Sequence, residues 1–379
     1  MDTRDVIAEL SAIERRAAGS DAERRASRAV AQRLRRSGRR GTRVETVWVR
    51  PHWPVVHALI CGVAIAGSVL SVDHEVVGLA LAGGALVALV ADLAGIHVLR
   101  LLTFERATQN VVSPDPRGEA KPVRLVLTAA VDAPRGGLHR RVPGLHRVLV
   151  AALLVLTACC ALRLALEDVP DALGAVQLLP TVVLIGVAGL FLDAAAAPVA
   201  ATADASAVAA VLAVVAALDR RPPRALAVEA VLAGAGHAHA LGMRRWVREQ
   251  RRAGVRAEEV CVIDLAACGA GTPVWWTHDG LVLPLRYSAQ LRGLAEGVAR
   301  SESRLRARPV RGSGMSGARA ARARGWPALA IGALGAGNDD SEPDPEAVAA
   351  TVEFALALIA ALDRDLLERD VAFPPPGGG

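Results

Sequence analysis

Apolar residues along this chain fall into two regimes. In four stretches, residues 55–72, 76–99, 148–166 and 172–192, they run almost unbroken, while elsewhere they recur with the spacing of helices and strands. Each stretch approaches or exceeds the roughly 18–20 residues that a helix needs to cross a hydrocarbon core about 30 Å thick. The links between them carry the orientation. Ser71-Val72-Asp73-His74-Glu75 joins the first two with no Lys or Arg. Glu167, Asp168 and Asp171 lie between the last two, with only Arg163 near the helix end. By contrast, residues 1–54 hold thirteen Arg, and residues 100–147 hold nine Arg or Lys. Cations are retained on the cytoplasmic side. The pattern therefore predicts two transmembrane hairpins, both termini and the middle segment in the cytoplasm, and a location at the inner membrane.

The other positions predict an ordered series of short elements. Residues 3–37 read as one Arg/Glu-rich helix with apolar Val6, Ile7, Leu10 and Ile13, then Ala26, Val30 and Leu34. Residues 42–49 alternate as a strand; 110–113 and 123–131 are two more, separated by the turn-rich Pro114-Asp115-Pro116-Arg117-Gly118. Asp204-Ala205-Ser206 caps an apolar helix over 207–218 that is too short to span a membrane. A strand over 225–232, a helix over 238–252 and a strand over 260–266 follow. Then comes a hairpin, 274–277 and 281–285, around the turn His278-Asp279-Gly280. A helix over 288–303, a Gly-rich loop, a helix over 318–324, a strand over 328–333 and a long helix over 345–368 complete the series. The tail 373–379, Phe-Pro-Pro-Pro-Gly-Gly-Gly, reads as disordered.

Strands alternating with helices predict a sheet covered on both faces. Because a lone helix and strand cannot bury enough apolar surface to be stable, residues 1–52, 100–145 and 199–372 are expected to form one discontinuous cytoplasmic domain. The hairpins 53–99 and 146–198 are then insertions in it. The length of 379 residues, 53% apolar, suffices for one such domain and four spans. The N-terminus is a charged helix rather than a signal peptide.

The net charge of +6 raises the question of nucleic acid, but the cations are nearly all Arg, with Lys121 the sole Lys, and they intermix with Asp and Glu on helices. Orientation and attraction to anionic headgroups account for the excess, so the bilayer is the expected partner and nucleic acid is not. Cys61, Cys159 and Cys160 lie in the spans, and Cys261 and Cys268 in a core strand. None has zinc-site spacing, so all five read as free buried thiols.

Six phrases, in order, carry a resemblance. They are Gly19-Ser20-Asp21-Ala22-Glu23-Arg24-Arg25-Ala26; Asn110-Val111-Val112; Leu125-Val126-Leu127-Thr128-Ala129-Ala130-Val131-Asp132; Ala205-Ser206-Ala207-Val208-Ala209; Leu241-Gly242-Met243-Arg244; and Gly325-Trp326-Pro327-Ala328. Together they resemble the di-zinc aminopeptidase family (metallopeptidase family twenty-eight). That family includes bacterial aminopeptidases, glutaminyl cyclases, glutamate carboxypeptidase and the non-catalytic transferrin receptor. The resemblance implies a mixed-sheet, three-layer zinc-exopeptidase-like α/β domain (aminopeptidase or phosphorylase/hydrolase-like), here a degenerate, membrane-embedded member.

At the metal site the resemblance breaks down. A two-zinc site needs imidazole and carboxylate ligands and a carboxylate base for the bridging water. Placed by motif, the first histidine falls on Ala130, the bridging aspartate on Thr202, and the glutamate pair on Gly236-His237. The second-metal aspartate falls on Ala266, with Asp264 two residues earlier on the same strand face, and the last histidine on Asp340, four residues before Asp344. Only Asp132, which in the family orients the first histidine, stands unchanged. Asp132, Thr202, His237, Asp264 and Asp340 are thus remnants of the former site, with His237, Asp264 and Asp340 expected to converge, and no catalytic residue is assigned. A reduced site around His237 and Asp340 holding one zinc is the alternative; His239 is expected to point elsewhere.

The remaining motifs are weaker. Gly312-Ser313-Gly314-Met315-Ser316-Gly317 matches a phosphate-loop spacing but has no long strand before it, and no serine in it sits in a Gly-x-Ser-x-Gly elbow. Asp92 and Asp193, near the cytoplasmic ends of spans, read as snorkelling or interhelical contacts rather than a proton path. Gly62, Gly67, Gly78, Gly83 and Gly84 are expected to let the spans pack closely as a four-helix bundle.

Two functions follow: a non-catalytic, membrane-tethered binding or scaffold protein without a resident metal, or an atypical metal-dependent peptidase or amidohydrolase. The strands before the two hairpins are expected to be parallel with one strand between them, which would bring the hairpins out beside the former cleft. A lipid headgroup or a membrane protein's cytosolic segment is the ligand such a cleft would meet.

Overall fold

The apolar stripe of the first 37 residues does not run as one helix. In the computed structural model, which describes residues 2–166, 171–199, 205–312, 314–335 and 343–369, it splits into α1 (Thr3–Ser11) and α2 (Asp21–Arg36). The break is chemical. Ser20 Oγ accepts from the Glu23 amide at 3.1 Å, and Glu23 reaches back to the Gly19 amide at 2.6 Å. This reciprocal cap starts a new helix where the preceding turn has used Arg15 and Gly19 in the left-handed region, at φ 54° and 72°.

The chain continues through β1 (Arg43–Val49), the helices α3 (Trp53–Leu70) and α4 (Glu75–Ala94), β2 (Arg106–Ser113) and β3 (Val123–Ala130). Next come α5 (Leu145–Ala165), α6 (Asp171–Ala196), α7 (Ala205–Arg220), β4 (Leu226–Ala233), α8 (Leu241–Arg252), β5 (Val260–Leu265) and β6 (Thr272–Asp279). The last elements are β7 (Leu285–Arg286), α9 (Ala289–Ser301), β8 (Arg308–Arg311), α10 (Gly317–Arg322), β9 (Ala328–Leu334) and α11 (Pro345–Arg369). They form two compact units: residues 1–51, 106–134 and 199–379 in the first, 52–105 and 135–198 in the second.

The first unit is a three-layer α/β structure around a mixed sheet in the order β1-β2-β4-β3-β5-β9-β6-β7, with β8 paired to β6. Strands β1, β4, β3, β5 and β9 run one way, and β2 and β6 run against them. Every residue of β5 is buried, as expected of a central strand covered on both faces. Helices α1, α7 and α11 pack together on one face; α8 and α10 pack together on the other.

Several expectations change. Strand β2 is twice the predicted length, because all seven residues of β1 pair with it, Arg43 opposite Val112 through Val49 opposite Arg106. The strands before the two apolar hairpins, β1 and β3, are parallel but separated by two strands, β2 and β4, rather than one. His278 and Asp279 are strand residues, paired with Arg286 and Leu285, and the turn lies beyond them. Residues 373–379 lie outside the described residues.

The second unit contains α3, α4, α5 and α6, each 18 to 26 residues long and apolar enough to cross a membrane. The second apolar stretch does not stay helical to residue 99; α4 ends at Ala94 with Gly95 left-handed at φ 97°. Asp193 near the end of α6 accepts from the Leu138 amide at 2.6 Å. The predicted glycine contacts divide. A Cβ on Gly78 would run into Ser71, and one on Gly67 would meet Ala82 N and Gly78 O at 2.9 Å. Gly62 and Gly84 face open space, and Gly83 has only Thr157 at 3.9 Å. Helix α11 also has the length and apolar character of a span. Its stripe of Val348, Phe354, Ala355, Leu358, Ile359 and Leu362 is nevertheless buried in the core of the first unit. The Phe354 ring stacks on Trp275 with centroids 5.9 Å apart.

Candidate functional site

Ligands of open α/β sheets gather at the carboxyl ends of the parallel strands, and here that edge is built around one turn. After β4, residues 234–240 form a turn with three non-glycine residues in the left-handed region: Ala235 at φ 50°, His239 at 65° and Ala240 at 54°. A β-carbon makes that conformation unfavourable by roughly 1–2 kcal/mol per residue, so the turn needs external hold. This is why α8 begins at Leu241 and not at the predicted residue 238.

Two buried carboxylates supply the hold. Glu23 Oε1 accepts from the Ala235 amide and from Thr108 Oγ1, each at 2.7 Å. Asp132 Oδ1 accepts from the Gly236 amide at 2.6 Å and Oδ2 from the His237 amide at 3.1 Å. Three consecutive N–H groups thus point at two acids. Asn110 completes the frame, accepting from Gly234 N at 3.1 Å and donating to Gly242 O at 3.0 Å. On the other side of Asp132, Arg16 donates to Val131 O at 3.1 Å and the Ala133 amide donates to Arg16 O at 2.8 Å. Burial, and then the charge of nearby Asp132, push the Glu23 carboxyl up to about 8, against the pull of its hydrogen bonds.

The predicted site residues distribute unevenly around this turn. Ala130, in the position assigned to the first histidine, lies directly under Gly236: a Cβ on that glycine would overlap the Ala130 methyl and come within 3.1 Å of Asp132 Oδ1. Asp132 is buried and its two oxygens are engaged as above. His237 contributes its amide, and the residue is exposed; His239 is buried. Asp264 is buried and accepts from the Ala318 amide of α10 at 3.2 Å. Ala266 donates its amide to Ile331 O at 2.8 Å, continuing the ladder, and Asp344 caps α11 by accepting from the Glu346 amide at 2.9 Å. Thr202 and Asp340 lie outside the described residues. Among the described residues, no group of three or more His, Cys, Asp or Glu side chains has the geometry to hold a metal ion.

Two residues escaped the sequence reading. Glu23 was visible only as part of a helix phrase. Its signal was position, since it shares the buried stripe of α2 with Ser27, Val30 and Leu34. Asp279 was read as a turn residue, yet it is buried and fills the Gly-rich loop. It accepts from Gly280 N at 2.9 Å, Gly314 N at 2.6 Å and Ser316 N at 3.3 Å. Tyr287 donates to it at 3.3 Å, and burial followed by the charge of Asp279 pushes the phenol well above its usual range. The chain's own carboxylate thus occupies the amides of Gly314 and Ser316, which a phosphate in this loop would otherwise use.

No family model matches the sequence, and no curated protein matches it. Solved structures do resemble it. A leucine aminopeptidase precursor from Bacteroides thetaiotaomicron aligns with a TM-score of 0.54 at 12% identity, over 95% of this chain and 97% of that one. Porphyromonas gingivalis glutaminyl cyclase aligns at 0.53 and 12% identity, over 94% and 96%. A Zn-dependent exopeptidase from Parabacteroides distasonis aligns at 0.52 and 12% identity, over 95% and 96%. At such identities the likeness speaks for fold alone: the chain has the mixed α/β fold of the zinc-dependent aminopeptidases and exopeptidases.

Proposed function

We propose that this chain is a membrane-anchored protein of zinc-exopeptidase fold that has lost the di-zinc site and acts as a non-catalytic binding or scaffold protein at the inner membrane face. The observation that carries the reading is the engagement of Asp132. In the resembled family this carboxylate orients the first metal-bound histidine. Placed by motif, Ala130 falls at that histidine's position; Gly236 lies against its methyl, and both Asp132 oxygens accept backbone amides. Among the described residues, the donors around Asp132 do not fit two zinc ions, and no step of a metal-dependent hydrolysis is derived for them. The four apolar helices of the second unit, with the basic segments 1–54 and 100–147, support the anchoring and its orientation. The proposed ligand is a lipid headgroup or the cytosolic segment of another membrane protein.

Elemental analysis of the purified chain, paired with an aminopeptidase assay in added zinc, tests this. The expected result is zinc well below one equivalent and no turnover. Chelator-sensitive turnover that His237→Ala or Asp340→Ala abolishes would overturn it in favour of a single-metal peptidase or amidohydrolase.

A further inference from the structure

The segment that follows α4 combines a buried charge cluster with an unusually apolar exterior. Gly95 ends the helix, and residues 96–104 continue as an ordered turn: the Ile96 amide donates to Ala91 O at 2.8 Å, and Thr103 donates through both N and Oγ1 to Arg100 O at 2.9 and 2.7 Å. Two side chains of this segment point inward. Arg100, fully buried, meets Asp92 in a two-bond pair at 2.7 and 2.7 Å, and His97 adds a third contact at 3.1 Å. Asp92 is held from α3 as well, by His57 at 3.0 Å, and His57 in turn touches His146 of α5 at 3.3 Å. A bidentate Arg–carboxylate pair backed by imidazoles fixes position more strongly than a lone hydrogen bond.

With those two turned in, Ile96, Val98, Leu101, Leu102 and Phe104 all turn out, Leu102 at 73% and Phe104 at 81% exposure. Five large apolar groups on nine residues are too many to leave in water without a partner. The surroundings say which partner. The patch continues the exposed apolar side of α4, at Val87 and Val90. His57 and His146 place the first turns of α3 and α5 at the same end of the unit as Asp92. There Arg141 and Arg147 are exposed, next to exposed Leu138 and Val148. An apolar surface beside two exposed arginines matches the boundary between acyl chains and anionic headgroups.

We propose that residues 96–104 are a preformed interfacial anchor that seats in the headgroup–acyl boundary of an anionic bilayer, with Asp92 as the clamp that holds it in shape. The proposal rests on the membrane reading of the four apolar helices. It assigns a lipid-binding surface to a segment that is not itself a span.

Spin labels read it directly, because all five native cysteines are buried. Leu102→Cys and Phe104→Cys would be labelled in the full chain, reconstituted in phosphatidylcholine–phosphatidylglycerol vesicles, with Val90→Cys as the control on α4. The expected result is that the labels at 102 and 104 collide more with oxygen than with a water-soluble nickel chelate, at a depth of about 5–10 Å, and that Val90 lies deeper. Nickel access at 102 and 104 while Val90 stays shielded would overturn the anchor and leave the spans intact. Nickel access at all three would reject the membrane reading itself. Labels immobilised and shielded from both reagents would mean that protein covers the patch, which also overturns the proposal. Asp92→Asn, in the Leu102→Cys background, is expected to loosen the label and lose its depth. Unchanged mobility and depth in that variant would remove Asp92 as the clamp, while the wild-type labels test the anchor independently of it.

Discussion

Glu23 shows how a single buried acid can set a pH response. Its carboxyl ionises near 8 in the folded chain against 4.5 for an ordinary Glu. The folded state therefore holds this proton after the unfolded state has released it. Its stabilising contribution is complete below pH 4.5, falls as pH rises, and is gone above about 8. Thermal melts of the whole chain in detergent should show stability declining across that window, and Glu23→Gln should remove this part of the slope. Because Asp132 contributes second to the shift after burial, Asp132→Asn should move the remaining decline to lower pH. A wild-type slope identical to that of Glu23→Gln would show that Glu23 is ionised throughout. The Ser20–Glu23 spacing stands in the sequence, but within a stretch that reads as one continuous helix. The partner of Glu23 across the sheet edge was not legible there, because Asp132, Thr108 and Ala235 meet it only through strand pairing.

At the scale of elements, the same residue type means different things according to what packs against it. Five glycines in the apolar helices looked equivalent along the chain, yet only Gly67 and Gly78 sit where α3 and α4 approach too closely for a side chain. Gly78→Leu should therefore break the hairpin and lower the melting temperature sharply, an overpacking cost of several kcal/mol or outright failure to assemble. Gly62→Leu and Gly84→Leu should change it little. Equal effects at Gly78 and Gly62, measured by melting in the same detergent, would show that the close approach at Gly78 contributes nothing. Helix α11 makes a related point. Its hydropathy alone qualifies it as a span; the buried stripe against Trp275 assigns it to the α/β core. The early break between α1 and α2 and the late start of α8 were missed because left-handed backbone at Arg15, Ala235, His239 and Ala240 leaves no mark on apolar periodicity.

For the whole molecule, orientation is the property that charge decides. Cysteines introduced at 73–75 and 168–171 should react with a membrane-impermeant thiol reagent in intact cells, and the native buried cysteines should not. Protection of both links would reject the proposed orientation, in which the termini are cytoplasmic. The sequence by itself determined the apolar helices and the α/β alternation. These depend on local composition and periodicity, which burial in lipid or in a core imposes residue by residue. Tertiary structure alone decided the strand order, the two-strand gap between β1 and β3, the pairing of Glu23 with Asp132 over one turn, and the burial of Asp279 in the Gly-rich loop. Apart from the short β6–β7 hairpin, these join residues from about 35 to more than 200 positions apart. Their energy comes from desolvating groups against one another, and no local pattern records which distant partner will be there.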